Sequence, residues 1–358
     1  MNKSNIAREY RQKYPDMPSL KLARIIYNDH NLTFPSVEAV RSHLRYIEGK
    51  QGTNQRKKIK FEDIMTEARP YNPYKLPPSD EQPYLPKIIS GFQRIGILSD
   101  VHFPYHNIGA MTVALDGLKK VLKKGDAILL NGDIIDCHRL SRFMKDPKKR
   151  NFKQEVDMLK GFFDNLQSIF DCQIIYKLGN HEDRYQRFLY EKASEIAGIE
   201  DFEFNNIIKA REKGIMMVES HEYMKINDLI GIHGHEFPGS GAGDMIAKSL
   251  YQKGNVNAFQ GHNHRTDTYV RRNPFDGSIV CTYSIGCLSE LHPAYSVLQK
   301  NPWNYGYAWV ELDNTSHQFH NEPIYDNQIR DLNQVEKSTS KRSNSSNRKH
   351  RQTAKAGK

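Results

Sequence analysis

Arg94-Ile95-Gly96-Ile97-Leu98-Ser99-Asp100-Val101-His102 decides the fold. Its first half is an apolar run without polar alternation, as expected of a strand covered on both faces, and predicts a strand over 94–99. The run ends on an acid and an imidazole. Asp100 and His102 lie two apart, so an extended backbone would turn both side chains to one side, where they can chelate one ion. The design recurs. A strand over 127–130 runs into Asn131-Gly132-Asp133, and one over 173–177 into Leu178-Gly179-Asn180-His181-Glu182. Strands over 229–232 and 256–260 lead to His233-Gly234-His235 and Gly261-His262-Asn263-His264. Ligands of α/β folds bind beyond the carboxyl ends of strands, so these five ends are expected to converge.

Around them, helical periodicity predicts helices over 110–124, 151–170 and 184–196, and later strands over 215–219, 268–271, 278–283 and 307–311. Helix-separated strands followed by a meander point to an α/β sandwich with mixed sheets. The domain is expected to span 92–330, behind a basic and then Pro-rich linker over 51–91 that contains Pro70, Pro73, Pro77, Pro78, Pro83 and Pro86. Residues 1–50 read as three short helices resembling a helix-turn-helix module, with Val37, Val40, Leu44 and Ile47 as the apolar stripe of the third. The tail over 331–358 is basic, almost free of apolar residues, and expected to be disordered.

Carboxylate with imidazole is a donor set for manganese, iron or zinc, not calcium, which takes oxygen throughout. Two Asp, one Asn and four or five His exceed what one tetrahedral ion can use. They suit two ions about 3.5–4 Å apart sharing a carboxylate. Glycines beside Asp133, Asn180, His233 and His262 allow sharp turns and close approach.

Taken together, D-x-H, G-D, G-N-H-E, a lone His and G-H-x-H resemble the signature of the calcineurin-like metallophosphoesterases, over residues 92–325. The Gly-His-Asn-His ending looks more like the compact prokaryotic and phage enzymes and the repair nucleases, and the small helical module resembles phage-encoded members. The resemblance implies a four-layer α/β/β/α sandwich with mixed sheets, preceded here by the all-α module, and hydrolysis of a phosphoester by activated water at a dinuclear centre. Carried over by position, it places one ion on Asp100, His102, Asp133 and His264. The other would lie on Asp133, Asn180, His233 and His262, with Asp133 as the bridge. His181 would be catalytic, stabilising the transition state or protonating the leaving oxygen. Two divalent ions are thus expected, manganese first, with iron, zinc or nickel as alternatives. Glu182 and Asp183 are expected to orient histidines, His235 to lie just outside the ligands or at the rim, and Asp136 and His138 to be candidates for substrate contact.

Substrate is read from what surrounds the site. Ser/Thr protein phosphatases of this superfamily follow the bridging Asp with V-D-R-G; Ile135-Asp136-Cys137-His138 lacks that Arg, which weighs against this class. The net charge of +10 is uneven: residues 1–60 carry +8, residues 337–358 another +8, and the middle therefore −6. Basic ends suit a polyanion, and Arg41, Arg45, Arg56, Lys57 and Lys58 are the candidate nucleic-acid contacts. The expectation is a phosphodiesterase or nuclease acting on DNA. The alternatives are a phosphatase or nucleotide phosphodiesterase, and a non-enzymatic DNA-binding or assembly module. Four cysteines without a CxxC pair suggest a reducing compartment, cytoplasmic or host-cytoplasmic for a phage-encoded chain. No run reaches the ~20 apolar residues of a membrane span, so no membrane partner is expected, and the chain carries no signature of oligomeric state.

Overall fold

Ile95 and Ile97 of the strand Arg94–Leu98 enter one apolar cluster, while Leu98 joins another on the opposite face. The next strand repeats this: Ala127 and Leu129 face one way, Ile128 and Leu130 the other. Such double burial at period two is why these strands read as continuous apolar runs. The computed structural model describes residues 3–15, 17–48, 73–74, 77, 85–141, 151–237, 243–293 and 300–332. The chain divides into two units, Met1–Glu81 and Gln82–Lys358.

The strands of the second unit are β1 (Lys87–Ile88), β2 (Arg94–Leu98), β3 (Ala127–Asn131), β4 (Gln173–Lys177), β5 (Met216–Val218) and β6 (Met224–Ile226). They continue with β7 (Leu229–Gly231), β8 (Ala258–Gln260), β9 (Asp267–Arg272), β10 (Ile279–Ser284), β11 (Gly306–Leu312) and β12 (His317–Pro323). Two six-stranded mixed sheets result, ordered β12-β11-β2-β3-β4-β5 and β1-β6-β7-β8-β10-β9. Within the first, β2 to β5 run parallel, and β11 closes antiparallel on β2. Ile95, Leu129, Ile175, Met224, Phe259 and Val310 fill the space between the sheets.

After α1 (Lys3–Lys13), α2 (Ser19–Asp29) and α3 (Val37–Ile47) of the first unit, the helices are α4 (Ile108–Val121), α5 (Phe152–Ile169), α6 (Asp183–Lys192), α7 (Phe204–Ile207) and α8 (Ile246–Gly254). Side chains of α4, α5 and α6 cover the outer face of the first sheet, and Leu250 of α8 packs on Ile232 and Ala258 outside the second. The four layers follow.

Several elements differ from the sequence expectation. The helix expected over 184–196 stops at Lys192, and Ser194–Ile196 forms a 3₁₀ turn. Lys87–Ile88, in the stretch read as linker, pairs with Met224–Lys225. β6, β12 and α8 were not anticipated: β6 has three residues, and β12 is the polar run His317-Gln318-Phe319-His320-Asn321-Glu322-Pro323, which carries no apolar alternation.

In the first unit, α1 to α3 bury Ile6, Leu22, Ile26, Phe34, Val40 and Leu44. Ser36 caps α3 by accepting the Ala39 N–H at 3.2 Å. Arg11 is buried, donates to the Met17 carbonyl at 2.7 Å and pairs with Glu48, so this cation is structural. The tail over 333–358 lies outside the described residues. Among those described, no helix is long and apolar enough to cross a membrane.

Candidate metal centre

The backbone at the strand ends is left-handed where an extended chain was expected. Asp100 (φ 55°), His102 (52°), Asp133 (52°), His262 (64°) and His264 (56°) all lie in this region, which residues with a Cβ seldom occupy. Asp100 and His102 therefore converge through two left-handed turns, not through strand alternation. Hydrogen bonds between the loops hold these turns. The Asp100 N–H donates to Gly132 O (3.1 Å), the His102 N–H to Asp133 O (2.9 Å) and the Gly261 N–H to His233 O (2.8 Å). Glycine permits the close approach: a Cβ on Gly179 would stand 2.7 Å from the Asp133 nitrogen, and one on Gly261 2.6 Å from Asp100 Oδ2.

Three groups of donors meet there: His102, Asp136 and His181 form one that shares its first histidine, and the other two carry the expected ligands. Of these two clusters, Asp100, His102 and His264 form one and Asp133, His233 and His262 the other, each with ligand atoms within 4.8 Å of one another. His264 Nε2 lies 3.2 Å from Asp100 Oδ1 and 3.1 Å from His102 Nε2. Asp133 Oδ2 stands 3.2 Å from His233 Nε2 and 3.9 Å from His102 Nε2, so one carboxylate oxygen faces both clusters. The Asn180 Oδ1 atom is buried without a hydrogen-bond partner, a lone-pair oxygen left unspent by the protein itself. Carboxylate, amide oxygen and imidazole placed this way fit divalent metal ions.

The surrounding side chains hold these donors, and not always as expected. Asp136, a candidate for substrate contact, is buried and places Oδ1 3.2 Å from both His102 Nδ1 and His181 Nδ1. It thereby directs each Nε2 toward the centre. Among the described residues, Glu182 makes no hydrogen bond to a histidine side chain. It accepts the N–H of Asp133 (3.0 Å), Ile134 (2.8 Å), Ile135 (3.3 Å) and Gly179 (2.8 Å), and the Tyr176 hydroxyl at 2.7 Å. Its work is on the loop that carries Asp133. Asp183 reaches His235 through Ser220, whose Oγ donates to Asp183 Oδ2 at 2.6 Å and lies 3.1 Å from His235 Nε2. His138 is half-buried, with Nδ1 3.9 Å from Asp136 Oδ2. His181 receives support from both sides: its N–H donates to Asp133 Oδ1 at 2.9 Å, and Arg184 Nη2 lies 2.8 Å from its Nε2.

Two further residues had no sequence signal. Fully buried Lys177 donates to Ser220 O at 2.7 Å and stands 3.1 Å from Glu236 Oε1. Glu236 in turn accepts the N–H of His233 (3.1 Å) and Gly234 (2.6 Å). Lys177 read only as the last residue of an apolar strand, and Glu236 as the neighbour of a histidine motif.

Charge follows this wiring. Burial works to raise the Asp100 carboxyl, but His264 beside it holds it at about 2. Burial likewise opposes a charged His233, yet Asp133 lifts that imidazole to about 10. Asp136 is held well below the usual carboxylate range despite burial, by its bonds to His102 and His181. His235 goes the other way, pushed to about 4 chiefly by burial.

The candidate nucleic-acid contacts belong to the first unit. Arg41 and Arg45, on α3, pair with Glu38 at 3.3 and 3.1 Å. Arg56, Lys57 and Lys58 lie outside the described residues.

A family model described as calcineurin-like phosphoesterase matches residues 93–324. No curated protein matches the chain. Among solved structures, a Vps29 single mutant from Entamoeba histolytica is 15% identical, with 65% of this chain and 99% of that one covered and a TM-score of 0.30. Chaetomium thermophilum Vps29 is 11% identical, covering 66% and 97%, with a TM-score of 0.31. A hypothetical protein from Pyrococcus horikoshii is 11% identical, covering 68% and 93%, with a TM-score of 0.33.

Proposed function

The chain belongs to the calcineurin-like phosphoesterase family, and from that premise we propose that it hydrolyses phosphodiester bonds of DNA as a phage-type nuclease with two divalent ions, manganese first. The observation that carries the hydrolytic part is Asp133 Oδ2 facing both donor clusters. Asp100, His102, Asp133 and His264 would hold one ion, and Asp133, Asn180, His233 and His262 the other. Two such ions, when bound, acidify a water and neutralise charge on phosphoryl oxygens. The rest falls to side chains. Asp136 keeps the His181 ring turned with Nε2 inward. His181 then meets the leaving oxygen and gives it a proton, as an imidazole can near neutral pH. Glu182 and Glu236 fix the loops that present Asp133 and His233.

DNA is favoured by the distribution of charge, +8 and +8 at the ends around −6, and by three helices whose last presents Arg41 and Arg45. That unit would bind DNA as a helix-turn-helix module. The pairing of both arginines with Glu38 weakens that face and favours the second reading, a phosphatase or nucleotide phosphodiesterase.

Incubating the Mn²⁺-loaded chain with single-stranded DNA, duplex DNA and bis-p-nitrophenyl phosphate separates the two. Cleavage of DNA, with affinity falling steeply as salt rises, is the expected result. Hydrolysis of the small diester with DNA left intact would overturn the nuclease and promote the second reading.

A further inference from the structure

Arg184 lies in the first turn of α6, three residues after His181, and no motif pointed to it. Its Nη1 donates to the Asp136 carbonyl at 2.7 Å and its Nη2 lies 2.8 Å from His181 Nε2. The guanidinium is thus fixed by a backbone oxygen on one prong and offered to the site with the other. It is half-buried, and its partners are a carbonyl oxygen and an imidazole nitrogen; among the described residues no carboxylate stands within ion-pair distance of it, though its charge acts on the buried Glu155 carboxyl. A partly buried cation held by no direct ion pair gains from an anion that completes it. The anion has to come to His181 Nε2, which lies 3.8 Å from Asp133 Oδ2, the oxygen shared by the two clusters.

A conflict sharpens the point. A proton donated to His181 Nε2 by Arg184 occupies the nitrogen that should face a leaving oxygen. An arriving phosphoryl group removes the conflict by accepting the Nη2 hydrogens itself, which leaves Nε2 free to take a proton from solvent and pass it to the leaving oxygen. Planar, permanently charged guanidinium suits a phosphate oxygen better than an imidazole. Resting on the phosphoesterase reading above, we propose that Arg184 is a phosphate-binding residue, clamping a non-bridging phosphoryl oxygen and engaging His181 Nε2 only until substrate arrives.

The test is calorimetric titration of inorganic phosphate into the Mn²⁺-loaded full chain, as wild type, R184Q, R184K, H181N and R184Q/H181N, with metal content measured for each. Loss of a charge-assisted hydrogen bond should weaken phosphate binding by about 10-fold or more in R184Q, with less loss in R184K and wild-type metal content in both. R184Q should weaken binding by a similar factor in the H181N background, because the clamp touches phosphate directly. Unchanged phosphate affinity in R184Q, or a loss that vanishes in the H181N background, would overturn the proposal; the second outcome would make Arg184 a positioning residue for His181. Metal loss in both R184Q and R184K would also overturn it, by placing Arg184 in the support of the centre. A wild-type chain that binds metal but neither binds phosphate nor hydrolyses any phosphoester would instead refute the phosphoesterase reading on which the clamp rests.

Discussion

Replacing Glu182 by Gln removes one oxygen acceptor from the loop that carries Asp133. The carboxylate receives two N–H groups at Oε2, from Asp133 and Gly179, and two at Oε1, from Ile134 and Ile135, besides the Tyr176 hydroxyl. A glutamine amide has one oxygen and one NH₂. Whichever way it is turned, two buried backbone donors then face another donor. Tyr176 can rotate its hydroxyl and offset part of the conflict; the backbone cannot. Each stranded donor costs about 1–3 kcal/mol, so E182Q should destabilise the chain by about 2–6 kcal/mol. At ~2–4 °C per kcal/mol for a domain of this size, Tm should fall by at least about 4 °C. The melt should be followed by circular dichroism in EDTA, so that folding is read apart from metal loading. Metal titration should then show weaker binding, because the left-handed turn at Asp133 has lost its support. An E182Q chain that melts within about 1 °C of wild type and loads both ions normally would refute the role of Glu182 as the clamp of this loop.

Asp133→Asn should lose at least one ion per chain and all turnover, because one carboxylate faces both donor clusters; elemental analysis checks it, and a fully loaded variant would end the bridging assignment. His181→Asn should keep both ions and slow hydrolysis by about 10²–10⁴; an emptied site would instead make His181 a ligand. Glu155 is buried, accepts the Cys137 N–H at 2.7 Å and has its carboxyl raised to about 8 by burial and by Asp136. Between its ordinary value near 4.5 and about 8 the folded chain keeps a proton that the unfolded chain has released, so stability should fall as pH rises through this window. The slope is at most about 1.4 kcal/mol per pH unit, and Glu155→Gln should flatten it in urea melts across that same window.

How far the sequence carried depended on whether a residue's job was set by its neighbours in the chain. Apolar runs ending in glycine and a ligand, as at Leu130-Asn131-Gly132-Asp133, announce both a strand and where its end must lie. Asp100, Asp133, His233 and His264 were legible because each stands at or just past the end of an apolar run, and the structure brings them together. Partners distant in sequence were not. Asp136 read as a candidate for substrate contact, yet its partners are His102 and His181, 34 and 45 positions away. Lys177 sits fully buried in a strand because its ammonium finds the Glu219 and Ser220 carbonyls on another segment. Very short or polar strands such as β1 and β12 carry too few apolar positions to announce themselves.

The left-handed turns connect these observations. Asp100, His102, Asp133, His262 and His264 each hold a conformation costing about 1–3 kcal/mol, which together reaches about 5–15 kcal/mol, the whole net stability of an ordinary domain. Such strain persists only where surrounding bonds over-determine it. Here the strand-end loops bond to one another, Asp100 to Gly132, His102 to Asp133 and Gly261 to His233, and Glu182 grips the Asp133 loop from beneath. Three buried acids consequently do three different things. Asp133 faces imidazole Nε2 atoms, Asp136 faces imidazole Nδ1 atoms, and Glu182 faces backbone N–H groups. Residue type fixes none of these roles; the partner does. The geometry that suits divalent ions is therefore set by backbone and buried carboxylates before any ligand contributes. Substitutions among the supporting acids should accordingly damage metal binding through the position of Asp133 and the orientation of His102.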